Sequence, residues 1–312
     1  MVVESRMPLQ GGLAPVETGG DVLEIACDES GFSGTNLLDP ASPVITHASV
    51  DLGIDEARVH LDSLRAELGW SFHELKSGPL LRAPGTYDAL ERFLARLEGR
   101  HHVHVVDKEL FLATRVADLF LAEPSYAGLT DHTPAADALH RTGREHPAQW
   151  HAFLTAFADV VRTKRRHRVD RGLAAGFLRA RDRLAEATSD DDVRDVLAQI
   201  TRARLTRITQ RLLHDDRSIP PPLEPLLPAL ASTVLFWSAG LRQVLVVHDE
   251  QSALTADRLR RLQAALTPTT AGVSPLAGLV AVDSRDDPRV QVADILAGVA
   301  RRRETDRLTG RG

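Results

Sequence analysis

Short apolar runs alternate with stretches of helical periodicity over two parts of the chain, and a third part between them carries helical periodicity alone. Val22 to Ala26 is an apolar run reaching Asp28-Glu29-Ser30-Gly31 and predicts a strand that ends in a turn. The β-branched Val44, Ile45, Thr46 and Val50 predict a second strand over 44–52. Asp55 then opens a helix on which Val59, Leu61, Leu64 and Leu68 recur near helical spacing, closed by Gly69. Thr86 is read as the cap of another helix, bearing Leu90, Phe93, Leu94 and Leu97 and stopped by Gly99. His102 to Val106 reads as a strand ending at Asp107. Towards the other end, Val244 to Val247 reads as a strand running into His248-Asp249-Glu250, and Leu259, Leu262 and Leu266 mark a helix. Leu279 to Val282 gives a strand ending at Asp283, and Pro288 begins the last helix.

This alternation predicts the α/β class, a sheet layered with helices. The stretch between, about 110–240, is helix-rich and contains the breaker Pro220-Pro221-Pro222; Val193, Val196, Leu197, Ile200, Ile208 and Leu212 mark one of its longer helices. It reads as a helical insertion within one α/β domain over 21–303. Residues 1–20 are expected to form a loose N-terminal tail and 304–312 a C-terminal one.

Composition adds boundaries. The 312 residues are 43% hydrophobic and 26% charged, enough apolar material for a core, and the net charge of −5 shows no overall basic excess. A single cysteine, Cys27, excludes an internal disulfide and a Cys-rich zinc site and fits a reducing compartment. The first residues lack an apolar signal segment, and no run reaches the roughly 18 apolar residues of a membrane span. A cytoplasmic location and no membrane partner are expected.

Asp28, Asp107, Asp249 and Asp283 each follow an apolar strand. Open α/β sheets place ligand sites outside the carboxyl ends of their strands. Each Asp alone is explained as a turn or N-cap residue; four converging carboxylates would repel unless something cationic joined them. Glu74-Leu75-Lys76 places a carboxylate and an ammonium on one face if the segment is extended. The plain alternative is an exposed ion pair. Yet Lys76 is one of only three lysines in a chain that otherwise uses arginine, and a compact ammonium approaches phosphate as guanidinium does not. Asp294 lies in the apolar helix Gln291-Val292-Ala293-Asp294-Ile295-Leu296-Ala297-Gly298, whose small residues allow close packing. A carboxylate buried there needs a partner or a metal, unless it faces solvent on the polar edge.

Taken in order, Asp28-Glu29-Ser30-Gly31, Glu74-Leu75-Lys76, Asp283-Ser284 and Gln291-Val292-Ala293-Asp294 resemble the motifs of an uncharacterised prokaryotic family, domain of unknown function 3800, whose members resemble the ribonuclease H-like superfamily. The resemblance spans about 22–107 and 243–303 and leaves the central helical stretch unmatched. It implies a ribonuclease H-like mixed sheet flanked by helices, and a divalent-metal-dependent nuclease acting on DNA or RNA. It carries the acidic site to Asp28, Glu74, Asp249 and Asp294 as ligands of Mg²⁺ or Mn²⁺, with Lys76 beside them; only strand-end context places Asp249. Such ions activate water and stabilise the leaving oxygen, and Lys76 offsets phosphoryl charge. Glu29, Asp107 and Asp283 are second-rank candidates, and Glu29 should point away from Asp28 if the strand continues.

In the insertion, Arg162, Lys164, Arg165, Arg166 and Arg168 form a basic run, and Arg204, Arg207 and Arg211 share a helix flank. A solvated face explains both; a phosphate-tracking surface for a nucleic-acid partner is the alternative. His102 and His104 share a strand face but lack a clear third zinc ligand. Ser30 stands where a haloacid-dehalogenase-like phosphatase wants a second acid, and no P-loop or Rossmann fingerprint is present. Two rivals to the nuclease remain: a catalytically silent nucleic-acid-binding or regulatory protein of the same fold, and a small-molecule phosphomonoesterase.

Overall fold

Aliphatic and β-branched runs build five strands in the computed structural model, β1 (Val22–Ser30), β2 (Val44–Val50), β3 (His101–Asp107), β4 (Gln243–Asp249) and β5 (Leu276–Val282). The structure describes residues 11–15, 21–32, 36–130, 133–162, 170–268 and 272–310. The strands form one mixed sheet in the order β3-β2-β1-β4-β5. β1 runs antiparallel to β2 and parallel to β4, and β4 is parallel to β5. The helices are α1 (Ile54–Leu68), α2 (Ser77–Arg82), α3 (Tyr87–Arg96), α4 (Lys108–Phe120), α5 (Pro134–Glu145), α6 (Pro147–Val161), α7 (Arg171–Ala187), α8 (Asp191–Ala198), α9 (Arg202–Leu213), α10 (Leu226–Ser238), α11 (Ala256–Leu266) and α12 (Pro288–Thr309). None of them among the described residues is long and apolar enough to cross a membrane.

The chain divides into two compact units, residues 1–32, 44–105 and 226–312 in the first and 33–43 and 106–225 in the second. In the first, the period-two alternation of the strands separates two faces. Ala26, Ala48, Val50 and Val247 face one way, into an apolar core with Leu61 and Leu64 of α1, Leu90 and Phe93 of α3, and Val292, Ile295 and Leu296 of α12. His47 and Ser49 face the other way, bonded at 2.8 Å to Thr233 and Trp237 of α10. The second unit is helical, and Phe120, Phe153, Phe157 and Phe177 form its buried aromatic centre, with ring centroids 5.3–6.3 Å apart.

Four boundaries differ from the sequence expectation. β1 continues through Asp28 to Ser30, because its ladder with β2 extends to Ser30 opposite Thr46. The helix expected across Val193–Leu212 is two, α8 and α9: Gln199 ends the first, and Thr201 caps the second by accepting from Arg204 N at 3.2 Å. The insertion spans 106–225 rather than 110–240, since α10 is tied to the sheet through Thr233 and Trp237. Neither end is wholly a tail. Leu13 exchanges backbone hydrogen bonds with Leu279, and α12 runs on to Thr309, with Glu304 and Arg307 paired one turn apart and Gly310 capping it in a left-handed conformation.

Candidate functional site

Three acids converge where the core face of the sheet meets α12. Asp28 shares the face of Ala26 on β1, and Asp249 that of Val247 on β4, by the same alternation. Asp294 comes from the buried first half of α12. Asp28 is 5% exposed and Asp294 9%. Burial pushes the Asp28 carboxyl well above the usual carboxylate range, and the charges of Glu29, Asp294 and Asp249 add to the rise. Burial also raises Asp294, reinforced by Asp249 and opposed by two hydrogen bonds from Ser77 and the charge of Lys76. Those bonds run from Ser77 N at 2.7 Å and Ser77 Oγ at 2.9 Å, so the start of α2 fixes both Asp294 oxygens.

Gly298 makes this contact possible. A Cβ built on it would lie 2.3 Å from Ser77 Cβ and 2.5 Å from Ser77 Oγ. Gly298→Ala should therefore push α2 off α12, costing about 1–3 kcal/mol of overpacking. A denaturant titration checks this; unchanged stability would mean that α2 yields freely.

Glu74 and Lys76 join the acids through Ser284, on the turn after β5. Lys76 Nζ lies 3.0 Å from Glu74 Oε1 and donates to Ser284 Oγ at 2.8 Å; Ser284 Oγ in turn donates to Glu74 Oε1 at 2.8 Å. Ser284 N donates to Asp249 Oδ1 at 3.2 Å. Gln291 holds the assembly from below, donating to Ser284 O at 2.8 Å and accepting from Leu75 N at 3.3 Å. Partial burial alone would lower the Lys76 pKa. The hydrogen bond to Glu74 and the charges of Asp294, Glu74 and Asp249 outweigh it, so the ammonium is held above its ordinary value.

The remaining candidates lie elsewhere. Glu29 points to the other face of the sheet, as alternation requires, where it meets Gln251 and lies 3.8 Å from His248 Nε2. Asp107 is the N-cap of α4, accepting from Glu109 N at 2.9 Å and Leu110 N at 3.0 Å. Asp283 folds its own turn, accepting from Arg285 N at 2.9 Å and pairing with the Arg285 guanidinium. Arg162 pairs with Asp159 at 3.1 Å, while Lys164, Arg165, Arg166 and Arg168 lie outside the described residues. Arg211 is committed to Asp216 and Glu123, and Arg204 to the Phe120 carbonyl. His102 stacks on Phe236 at 3.7 Å, and burial lowers its pKa to about 4.

The sequence reading missed the two serines that organise the acids, Ser77 and Ser284. It also missed a buried polar chain on the opposite face. Thr233 Oγ1 bonds His47 Nδ1 at 2.8 Å, His47 Nε2 meets His248 Nε2 at 3.1 Å, and His248 Nδ1 reaches the Asp249 carbonyl at 2.9 Å. Burial holds both imidazoles below their usual pKa. The sequence signal was the placement of His47 and His248 inside otherwise apolar strands.

No family model, curated protein or solved structure matches this chain. The functional reading rests on its own residues. The side chains at the cluster suit a hard divalent cation, because Asp28, Asp249, Asp294 and Glu74 offer only carboxylate oxygens, and the charge of Asp249 adds to the ionisation cost that burial imposes on Asp28 and Asp294. Among the described residues, no group of three or more His, Cys, Asp or Glu side chains is arranged to hold a metal ion, and Lys76 supplies the positive charge at the Glu74 side.

Proposed function

We propose that this protein is a divalent-metal-dependent nuclease of ribonuclease H-like architecture, hydrolysing phosphodiester bonds at the Asp28–Asp249–Asp294–Glu74 cluster. One observation carries the reading: buried Asp28 and Asp294 share the core face with the strand-end Asp249, near enough for its charge to raise both, beside a lysine. A fold spends stability on such repulsion where a cation or a reacting phosphate uses it. The reading also rests on the resemblance of the ordered motifs to domain of unknown function 3800, and the five-stranded mixed sheet flanked by helices is the layout that such an architecture requires.

Asp28, Asp249, Asp294 and Glu74 are the residues that would hold Mg²⁺ or Mn²⁺. Bound there, the ion supplies water activation and charge stabilisation for the leaving oxygen. Ser77 fixes the orientation of Asp294 through both its oxygens, and Ser284 orients Asp249 and Glu74 together. Lys76, charged throughout the neutral range, places an ammonium where phosphoryl charge develops. Gln291 and the core beneath keep the platform rigid.

Lys76 also favours a second reading, a nucleic-acid-binding protein without catalysis, because its ammonium partly neutralises the cluster without a metal. Incubation with supercoiled DNA, single-stranded DNA and RNA in Mn²⁺ separates the two. The nuclease reading expects cleavage of at least one substrate that EDTA stops. Binding without cleavage across the panel supports the silent reading.

A further inference from the structure

Ser30 and Gly31 complete the Asp28-Glu29-Ser30-Gly31 motif but take no part in the acidic cluster. Both serve one side chain, Arg301 of α12. Arg301 Nε donates to Ser30 Oγ at 2.9 Å. Gly31 has φ +94, and a Cβ there would lie 2.6 Å from Arg301 Cδ and 2.6 Å from the Val44 carbonyl oxygen. No side chain fits beneath the arginine stem, so glycine is required both by its backbone angle and by the close approach. The end of β1 is thus built as a cradle for one guanidinium.

The cradle is aligned with the acids. Ser30 follows Asp28 by two residues on the same strand face, about 6.7 Å along β1. Arg301 follows Asp294 by seven residues on α12, two helical turns and nearly the same face. Both elements therefore displace Arg301 from the acidic cluster in one direction. Lys76 lies on the other side, donating to Ser284, which Gln291 holds from one turn before Asp294 on α12. A line of charge results: guanidinium, acidic centre, ammonium. A small phosphate needs only the centre and one cation. A polynucleotide strand carries a phosphate at every nucleotide, so further phosphates lie beside the reacting one and within reach of a cation displaced along the strand.

We propose that Arg301 is a substrate-positioning residue that holds a neighbouring phosphate of a polynucleotide strand, with Ser30 and Gly31 aiming its guanidinium fork. This rests on the nuclease reading and sharpens it, because it assigns the site to a phosphodiester polymer rather than a phosphomonoester. Using Nε for Ser30 presents the terminal nitrogens as the pair suited to a bidentate phosphate contact.

The test is fluorescence anisotropy of the full chain with labelled 20-nucleotide single-stranded DNA and RNA in Ca²⁺, over a series of salt concentrations. Arg301→Gln should weaken binding about tenfold and reduce the salt slope by about 0.7, the contribution of one phosphate contact on a single strand. Arg301→Lys should keep most of the slope while losing part of the affinity, and Ser30→Ala should fall between wild type and Arg301→Gln. The exposed Arg260→Gln on α11 is the control. A purely structural tie between α12 and β1 would lower the melting temperature and leave the slope alone. Affinity and slope of Arg301→Gln equal to those of Arg260→Gln, or no binding by wild type to either strand, would overturn the proposal. Cleavage in Mn²⁺ is scored separately. Cleavage that persists while Arg301→Gln changes nothing defeats the anchor alone; an Arg301-dependent slope without cleavage defeats the nuclease alone.

Discussion

Mn²⁺ is expected to raise the melting temperature of the wild-type protein with concentration, and Asp28→Asn or Asp294→Asn to remove most of that rise. A ligand bound only by the folded state stabilises it by about 4 kcal/mol at a thousandfold excess over its dissociation constant. Without metal the same cluster is a burden. Asp28 and Asp294 are held above the carboxylate values of an unfolded chain, so the folded state binds their protons more tightly. The stability they give is full below about pH 4 and is lost as pH rises through the folded values. In EDTA, wild type should thus lose stability across that window, and Asp28→Asn should flatten the loss. At pH 7 and without metal, the variant should be as stable as wild type or more so, despite a poorer response to Mn²⁺. Melting curves across pH and Mn²⁺ check both signs. Destabilisation by Asp28→Asn that is independent of both would mark Asp28 as a structural residue.

The largest effect on function is expected at the same positions. Asp28→Asn and Asp294→Asn should each cut Mn²⁺-dependent cleavage about a thousandfold, the loss of roughly 4 kcal/mol of transition-state stabilisation. Asn keeps the size of Asp, and at position 294 its amide oxygen can still accept from Ser77 N, so the platform should survive. Lys76→Met should lose less than either, because it removes a charge beside the reacting group and not an oxygen that holds the cation. Ser284→Ala should also fall between, since the contact of Ser284 N with Asp249 comes from the backbone and survives the loss of the hydroxyl. Initial rates on the substrate that wild type cleaves, with circular dichroism to confirm folding, give the comparison. Full activity in Asp28→Asn would remove the proposed centre.

The class of fold was readable because its strands and helices announce themselves at different periods. The Val22 and Val244 runs, and the Leu61–Leu64 and Leu90–Phe93 pairs, lie where their patterns predicted. The core-facing acids were readable for a related reason: Asp294 interrupts an apolar helix, and Asp28 and Asp249 follow apolar runs. Asp107 and Asp283 show the same local signature and act as a cap and a turn, since any strand end wants such a residue. Only convergence in space separates the two groups. The strand content of Asp28-Glu29-Ser30 was hidden because polar residues at a paired strand end look like a turn. Ser77, Ser284 and Arg301 act through partners more than 200 residues away, and no local pattern marks such pairings.

The most direct measurement is the binding of Mn²⁺ itself, followed by the electron paramagnetic resonance signal of the free ion during titration of the full chain. Wild type should remove one or two Mn²⁺ per chain from solution, and Asp28→Asn and Asp294→Asn should each lower the affinity at least tenfold while Asp107→Asn, at the α4 cap, leaves it unchanged. Equal Mn²⁺ binding by wild type, Asp28→Asn and Asp294→Asn, or none by any of them, would contradict a metal centre at this cluster.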